Sequence, residues 1–372
     1  MKNKLKLATV FSGIGAIEFA LKRLNIDYEV IFACDNGERN IDYDKDEELK
    51  KVKSLKSIKE KREYVDDLYS SKTRKTNFVK RSYLANYGDK LIDENYFQDI
   101  CLIDGEDFTG KVELLVGGSP CQSFSSVGSQ AGLEDTRGTL FYDYARLIKE
   151  IQPKVFIFEN VRGLKTHDKG KTWEIISKVL NDLNYNVHEE VLNSSDFGIP
   201  QTRRRLFVVG FHKKVKFEFT KQLENVNQFT MQDFLIESND EGSLKFDNSG
   251  KIYLDNKPGK IDEKYFLTEK LYNYVMKGGT KSFYQKPVID LPIARTILST
   301  MGNRHRAGID NYITINGKVR MLSEREAHRL MGFTDDYKIV VSRAQAYKQA
   351  GNSIVVDVLM SLIKDIYSTG VL

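Results

Sequence analysis

Short apolar runs that stop abruptly at glycine, cysteine or a carboxylate constrain this chain more than any other feature. Residues 6–11 read as a short strand entering Ser12-Gly13-Ile14-Gly15, and residues 28–34 end at Asp35. Residues 114–116 run into Gly117-Gly118-Ser119-Pro120-Cys121, and residues 155–158 stop at Glu159-Asn160-Val161. Runs this short and continuously apolar are strands covered on both faces, as in parallel sheets. Helical spacing over residues 16–24, 139–151 and 172–183 lies between or after them, and residues 187–192 and 205–211 read as closing strands. Strands alternating with helices in this order predict an α/β fold with a doubly wound, mostly parallel sheet.

Open sheets of that kind bind ligands at the carboxyl ends of their strands, so the residues just past each run are the chemical candidates. Glycines at the first turn let backbone amides approach a ligand, and the amino end of the following helix favours negative charge. The Phe11-x-Gly13-x-Gly15 spacing is not the GxGxxG of dinucleotide folds. Asp35 suits a ribose with two free hydroxyls, or is simply a surface turn. The two together point to an adenosine-containing cofactor. Cys121, delivered on a small-residue loop, is a soft nucleophile once deprotonated. Glu159 lies on the same sheet edge, either facing the crevice or capping a helix. In Gln201-Thr202-Arg203-Arg204-Arg205, strand alternation places Arg203 and Arg205 on one side and Arg204 on the other. Guanidinium forks there bind carboxylates, phosphates or base edges, or merely solubilise an edge.

At 372 residues the chain has room for a large core and a smaller second unit. Its three cysteines, Cys34, Cys101 and Cys121, are widely spaced and without histidine clusters. That argues against a disulfide framework or a metal site and favours a reducing cytoplasm. No apolar run reaches the ~18 residues of a membrane span, and no targeting segment is expected. The net charge of +5 is a mild lean toward polyanions. Residues 39–90 carry fifteen Lys or Arg against ten Asp or Glu. They read as a charged helical insertion, near nucleic-acid phosphates or a solvated face laced with ion pairs. From about 212 to 290 the pattern is polar and irregular, a separate small unit. Helix returns at residues 323–330, where Ser323 and Glu326 form a capping-box pair, and residues 354–366 form a last helix docking on the first domain.

Taken together these segments resemble the cytosine carbon-5 DNA methyltransferases of bacterial restriction-modification systems. The matching stretches occur in family order: residues 11–15, Asp35, Asp99-Ile100, 118–125, 137–141, 159–161, 201–205, 320–333 and 349–353. The resemblance implies the S-adenosylmethionine-dependent methyltransferase fold, with S-adenosylmethionine as cofactor. Phe11, Gly13 and Gly15 would line its pocket, Asp35 take the ribose, and Asp99 and Ile100 hold the adenine. Pro120, Leu140, Asn352 and Ser353 would complete the site. The implied catalytic domain is 1–212 plus 351–372, with a target-recognition domain at 213–322 and a hinge at 323–350. A monomer acting on double-stranded DNA is expected.

The reaction explains the residue types. Carbon 5 of cytosine is a poor nucleophile until a thiolate, here Cys121, adds at carbon 6. Glu159 could donate a hydrogen bond at N3, and Arg203 and Arg205 could hold the base oxygen, orient Glu159 or engage the backbone. The sequence does not divide those tasks, and it offers no obvious base for the carbon-5 proton. The target base must leave the duplex. Asn303, Arg304 and Arg306 are candidate base readers, while Val127 leaves the residue filling the vacated gap unassigned. Rival readings are a tRNA cytosine-5 methyltransferase, a catalytically silent DNA-binding relative, and a nucleotide-dependent dehydrogenase.

Overall fold

The computed structural model describes residues 4–120, 140–224, 229–235, 244–255, 262–280, 283–284, 286–303 and 307–372. Cys121, Val127, Arg304 and Arg306 lie outside the described residues. The first half alternates β1 (Leu5–Val10), α1 (Ala16–Arg23) and β2 (Tyr28–Cys34), then three helices, α2 (Lys45–Ser54), α3 (Ile58–Lys72) and α4 (Phe78–Tyr87). β3 (Tyr96–Phe97), β4 (Leu114–Gly117), α5 (Leu140–Ile151), β5 (Val155–Val161), α6 (Lys171–Asn181), β6 (Asn186–Asn193) and β7 (Arg204–Phe211) follow. The seven strands form one sheet in the order β3-β2-β1-β4-β5-β7-β6, parallel except for β7, which runs against both neighbours.

The apolar strands are covered on both sides, and side-chain alternation divides them. Leu5, Leu7, Leu114, Val116, Val155 and Ile157 join one core with α1 and α4. Ala8, Val10, Leu115, Phe156 and Phe158 join the opposite core, under α5 and α6. β5 continues past Phe158 to Val161 because its end pairs with β7, Glu159 opposite Phe207 and Val161 opposite Arg205. Glu159 therefore belongs to the strand itself.

Residues 39–90 have two destinations. Tyr83 and Tyr87 of α4 are fully buried in the main core beside α1. α2 and α3 instead form a satellite cluster in which Val52, Val65 and Tyr69 pack on Leu102.

The polar stretch after β7 is built from small units: the hairpin β8 (Leu244–Phe246) with β9 (Ile252–Leu254), helix α7 (Glu269–Val275), and the strand pair β10 (Gly279–Thr280) with β11 (Phe283–Tyr284). The hairpin β12 (Tyr312–Ile315) with β13 (Lys318–Met321) leads into α8 (Glu324–Arg329), where the Ser323–Glu326 capping box forms in both directions. α9 (Arg343–Asn352) and α10 (Val356–Ser368) return the chain to the sheet, α10 lying against α1. No helix among the described residues is long and apolar enough to cross a membrane.

Candidate active site

The strand order reverses between β1 and β4, and this switch point is where an open α/β sheet leaves a crevice. Val10 pairs with both Cys34 and Gly117, and Gly117 pairs with Phe158. Phe11, Asp35, Gly118 and Glu159 therefore stand level along one edge. A cleft open to solvent is lined there by Phe11, Ser12, Gly13, Gly117, Gly118, Asn352 and Ser353, among others.

Hydrogen bonding fixes the first wall. Ser12 N–H donates to the Cys34 carbonyl at 3.0 Å, and its hydroxyl accepts from Cys34 N–H at 2.9 Å. Asp35 accepts from Gly13 N–H at 3.0 Å and Gly37 N–H at 2.8 Å. Burial raises its pKa, while those amides oppose the shift. Gly15 is obligatory twice over: its φ is +76°, and a Cβ would sit 2.1 Å from the Tyr87 ring. The α4 helix thus shapes the loop of the cleft.

The second wall comes from β4 and β5. A Cβ on Gly118 would lie 2.7 Å from the Glu159 carbonyl and 3.1 Å from Glu159 Oε2, so only glycine lets this loop pass so close to the carboxylate. Glu159 pairs with Arg205, Nε to Oε1 at 3.2 Å. Burial raises the Glu159 pKa, and Arg205, then Arg203, pull it back down. Asn160, on the other side of the strand, donates to the Ser119 carbonyl at 2.9 Å and so anchors the loop two residues before Cys121. Ser119 Oγ is buried without a hydrogen-bond partner among the described residues, at the cleft end of β4. Leu140 opens α5, partly buried on the core.

The two arginines have different partners, which strand alternation alone did not anticipate. β7 begins at Arg204, leaving Arg203 outside the regular strand. Its guanidinium donates to the carbonyls of Ile297 at 3.0 Å, Gly351 at 3.0 Å and Ser353 at 2.7 Å. Burial and the nearby Arg205 push its pKa down to about 9, against an upward pull from Glu159. Gln201 performs a similar service, donating to the Leu330 carbonyl at 2.6 Å and accepting from Ile297 N–H at 2.8 Å. Together they clasp the return of the chain, which presents Asn352 and Ser353 to the cleft.

Two cysteines can be set aside. Cys34 is buried, and burial followed by the charges of Asp99 and Asp35 raises its thiol pKa far from ionisation at neutrality. Burial, then the charges of Asp99 and Asp143, raise the Cys101 thiol in the same direction, and that thiol donates to Asp143 at 3.3 Å. Asp99 and Ile100 follow β3, and Asn303 is exposed next to residues outside the described set. Sequence reasoning passed over Tyr43 and Tyr69, whose hydroxyls both donate to Asp99. It also passed over Glu18, buried under the first loop with Tyr83. An acidic residue within an apolar helical run was the available signal for Glu18. No local pattern marked the tyrosines.

This sheet order, with its reversed strand and a cleft at the β1–β4 switch point, defines an S-adenosylmethionine-dependent methyltransferase fold. The family profile of C-5 cytosine-specific DNA methylases matches residues 68–368, and the chain belongs to that family. It is similar to the Type II methyltransferase M.SsoII of Shigella sonnei, 37% identical over 315 residues, 82% of this chain and 75% of that one. It also resembles the Type II methyltransferase M.HhaI of Haemophilus parahaemolyticus, 38% identical over 261 residues, 69% of this chain and 76% of that one. In overall fold it is similar to the S. pombe Dnmt2 methyltransferase structure, with a TM-score of 0.64, 18% identity and 97% of each chain covered. The chain is a DNA (cytosine-5-)-methyltransferase.

Proposed function

We propose that the enzyme methylates one cytosine within a specific duplex DNA sequence, as the modification partner of a restriction endonuclease, and that it uses S-adenosylmethionine. The observation that carries this reading is the convergence at one sheet edge of Glu159, its partner Arg205 and the anchored loop leading to Cys121. The cleft fits the cofactor: it has a glycine turn with an amide-bound carboxylate beside it, a Ser119 hydroxyl without a partner among the described residues, and no room for a Cβ at Gly118. The bound cofactor supplies an electrophilic methyl group. Phe11, Gly13 and Gly15 would line its pocket, Asp35 would face the ribose, Asp99 and Ile100 the base, and Pro120, Leu140, Asn352 and Ser353 the remainder.

On the substrate side, the Cys121 thiolate adds to carbon 6 of the extruded base, placing electron density on carbon 5. Glu159 meets the charge that develops at N3, held in place by Arg205. Once carbon 5 has gained the methyl group, loss of its proton to water expels the thiolate and restores the ring. Arg203 acts through the scaffold by joining the end of the chain to the cleft. Residues 213–322 would select the sequence, with 323–350 as the hinge, and the enzyme would act as a monomer. The 159–161 and 201–205 stretches suit a tRNA substrate equally, so the deciding experiment compares labelled-methyl incorporation into duplex DNA and into tRNA. Incorporation into DNA, located by bisulfite sequencing, is expected; exclusive labelling of tRNA would overturn the reading.

A further inference from the structure

α2, α3 and the stretch entering them are unexplained by the sheet or by methyl transfer, and they converge on one carboxylate. β3 lies outside β2 in the sheet, and Asp99 follows β3 much as Asp35 follows β2. The proposed cofactor placement sets the ribose at Asp35 and the base at Asp99 and Ile100, just past β3. At that place Tyr43, just before α2, donates its hydroxyl to Asp99 Oδ2 at 2.6 Å. Tyr69, in the last turns of α3, donates to the same oxygen at 2.8 Å. The Cys101 amide donates to Oδ1 at 3.0 Å. Tyr69 and Asp99 are both more than nine-tenths buried, and the Arg39 guanidinium lies 4.9 Å from the Tyr69 ring centre.

A carboxylate offers about four lone-pair positions, two on each oxygen. Among the described residues two hydroxyls fill Oδ2 and one amide takes half of Oδ1, leaving one acceptor position. Burial and the Asp99 charge raise the pKa of both tyrosines, so both remain donors. A buried carboxylate lone pair accepts but does not donate, so it favours an amino group over a ring carbonyl. We infer that Tyr43 and Tyr69 are positioning residues for cofactor recognition: they hold Asp99 so that its remaining lone pair accepts the exocyclic amino group of adenine. The inference rests on the S-adenosylmethionine reading. It gives the α2–α3 insertion a task, as the outer wall of the base subsite.

The test is calorimetry of the full chain with S-adenosylhomocysteine and with S-inosylhomocysteine, which carries a carbonyl where adenine has its amino group. Wild type should prefer the adenine compound roughly a hundredfold. In Tyr43→Phe/Tyr69→Phe that preference should shrink about tenfold, mainly through weaker binding of the adenine compound. Tyr43→Phe alone, at a half-buried position, should show part of the loss with an unchanged melting temperature. If both variants keep the wild-type preference, the tyrosines serve only packing and the inference fails. If wild type binds neither ligand, the cofactor reading falls and takes this inference with it.

Discussion

Glu159, Arg205 and Arg203 carry related charges a few residues apart but do different work. Glu159 and Arg205 are paired at the cleft and largely shielded from water, so the carboxylate's protonation reflects burial against guanidinium attraction. Glu159→Gln should lower kcat on the order of 10²–10³-fold while leaving DNA affinity nearly unchanged, as gel-shift and steady-state assays would show. Arg203 instead satisfies three buried carbonyls. Arg203→Ala should cost about 3 kcal/mol or more of stability in urea denaturation, because those acceptors lose their donor. Arg205→Ala should lower kcat and also cost stability, because it leaves the shielded Glu159 carboxylate without its cation. The proposed nucleophile has its own test. Cys121→Ala should bind duplex DNA without transferring methyl, and 5-fluorocytosine duplexes should trap wild type covalently but not the variant.

The β1 turn, α1 and α4 behave as one assembly. Glu18 of α1 is fully buried, accepts from Tyr83 of α4 at 2.6 Å and from Thr9 of β1 at 3.3 Å, and one of its oxygens has no partner among the described residues. Burial raises its pKa from 4.5 to about 7, outweighing those hydrogen bonds. A carboxyl whose folded pKa exceeds its unfolded one binds its proton more tightly in the native state. Its contribution is full below about pH 4.5 and is lost as the pH climbs through about 7. Stability measured by urea melts from pH 4.5 to 8 should therefore fall by up to about 3 kcal/mol from this group. Glu18→Gln should flatten that slope. The same three elements explain why Gly15 admits no side chain: the Tyr87 ring of α4 occupies the space. The glycine turn between β1 and α1, proposed to meet the cofactor, is thus closed by a helix some seventy residues later in the sequence.

Across the whole molecule the net charge of +5 acts on DNA through phosphate neutralisation. Affinity for duplex DNA should fall steeply, roughly 10³-fold or more between 50 and 200 mM salt if six or more phosphates are contacted, as fluorescence anisotropy would register. Much of this architecture was legible in the chain. Apolar runs ending on Gly13, Asp35, Gly118 and Glu159 announced a parallel sheet with its chemistry at one edge, because strands buried on both faces leave an unbroken apolar signature. Backbone pairing was less visible: β5 reaches Val161 only because β7 lies beside it, and β7 starts at Arg204, which separates the two motif arginines. Sequence alone determined the alternation of elements and the residue types at the strand ends, since both follow from local periodicity and burial. Tertiary structure decided which of those side chains would meet: Arg205 with Glu159, Arg203 with the end of the chain, and Tyr43 and Tyr69 with Asp99. Those contacts join residues far apart along the chain, and their geometry is set by packing, which no local window of sequence contains.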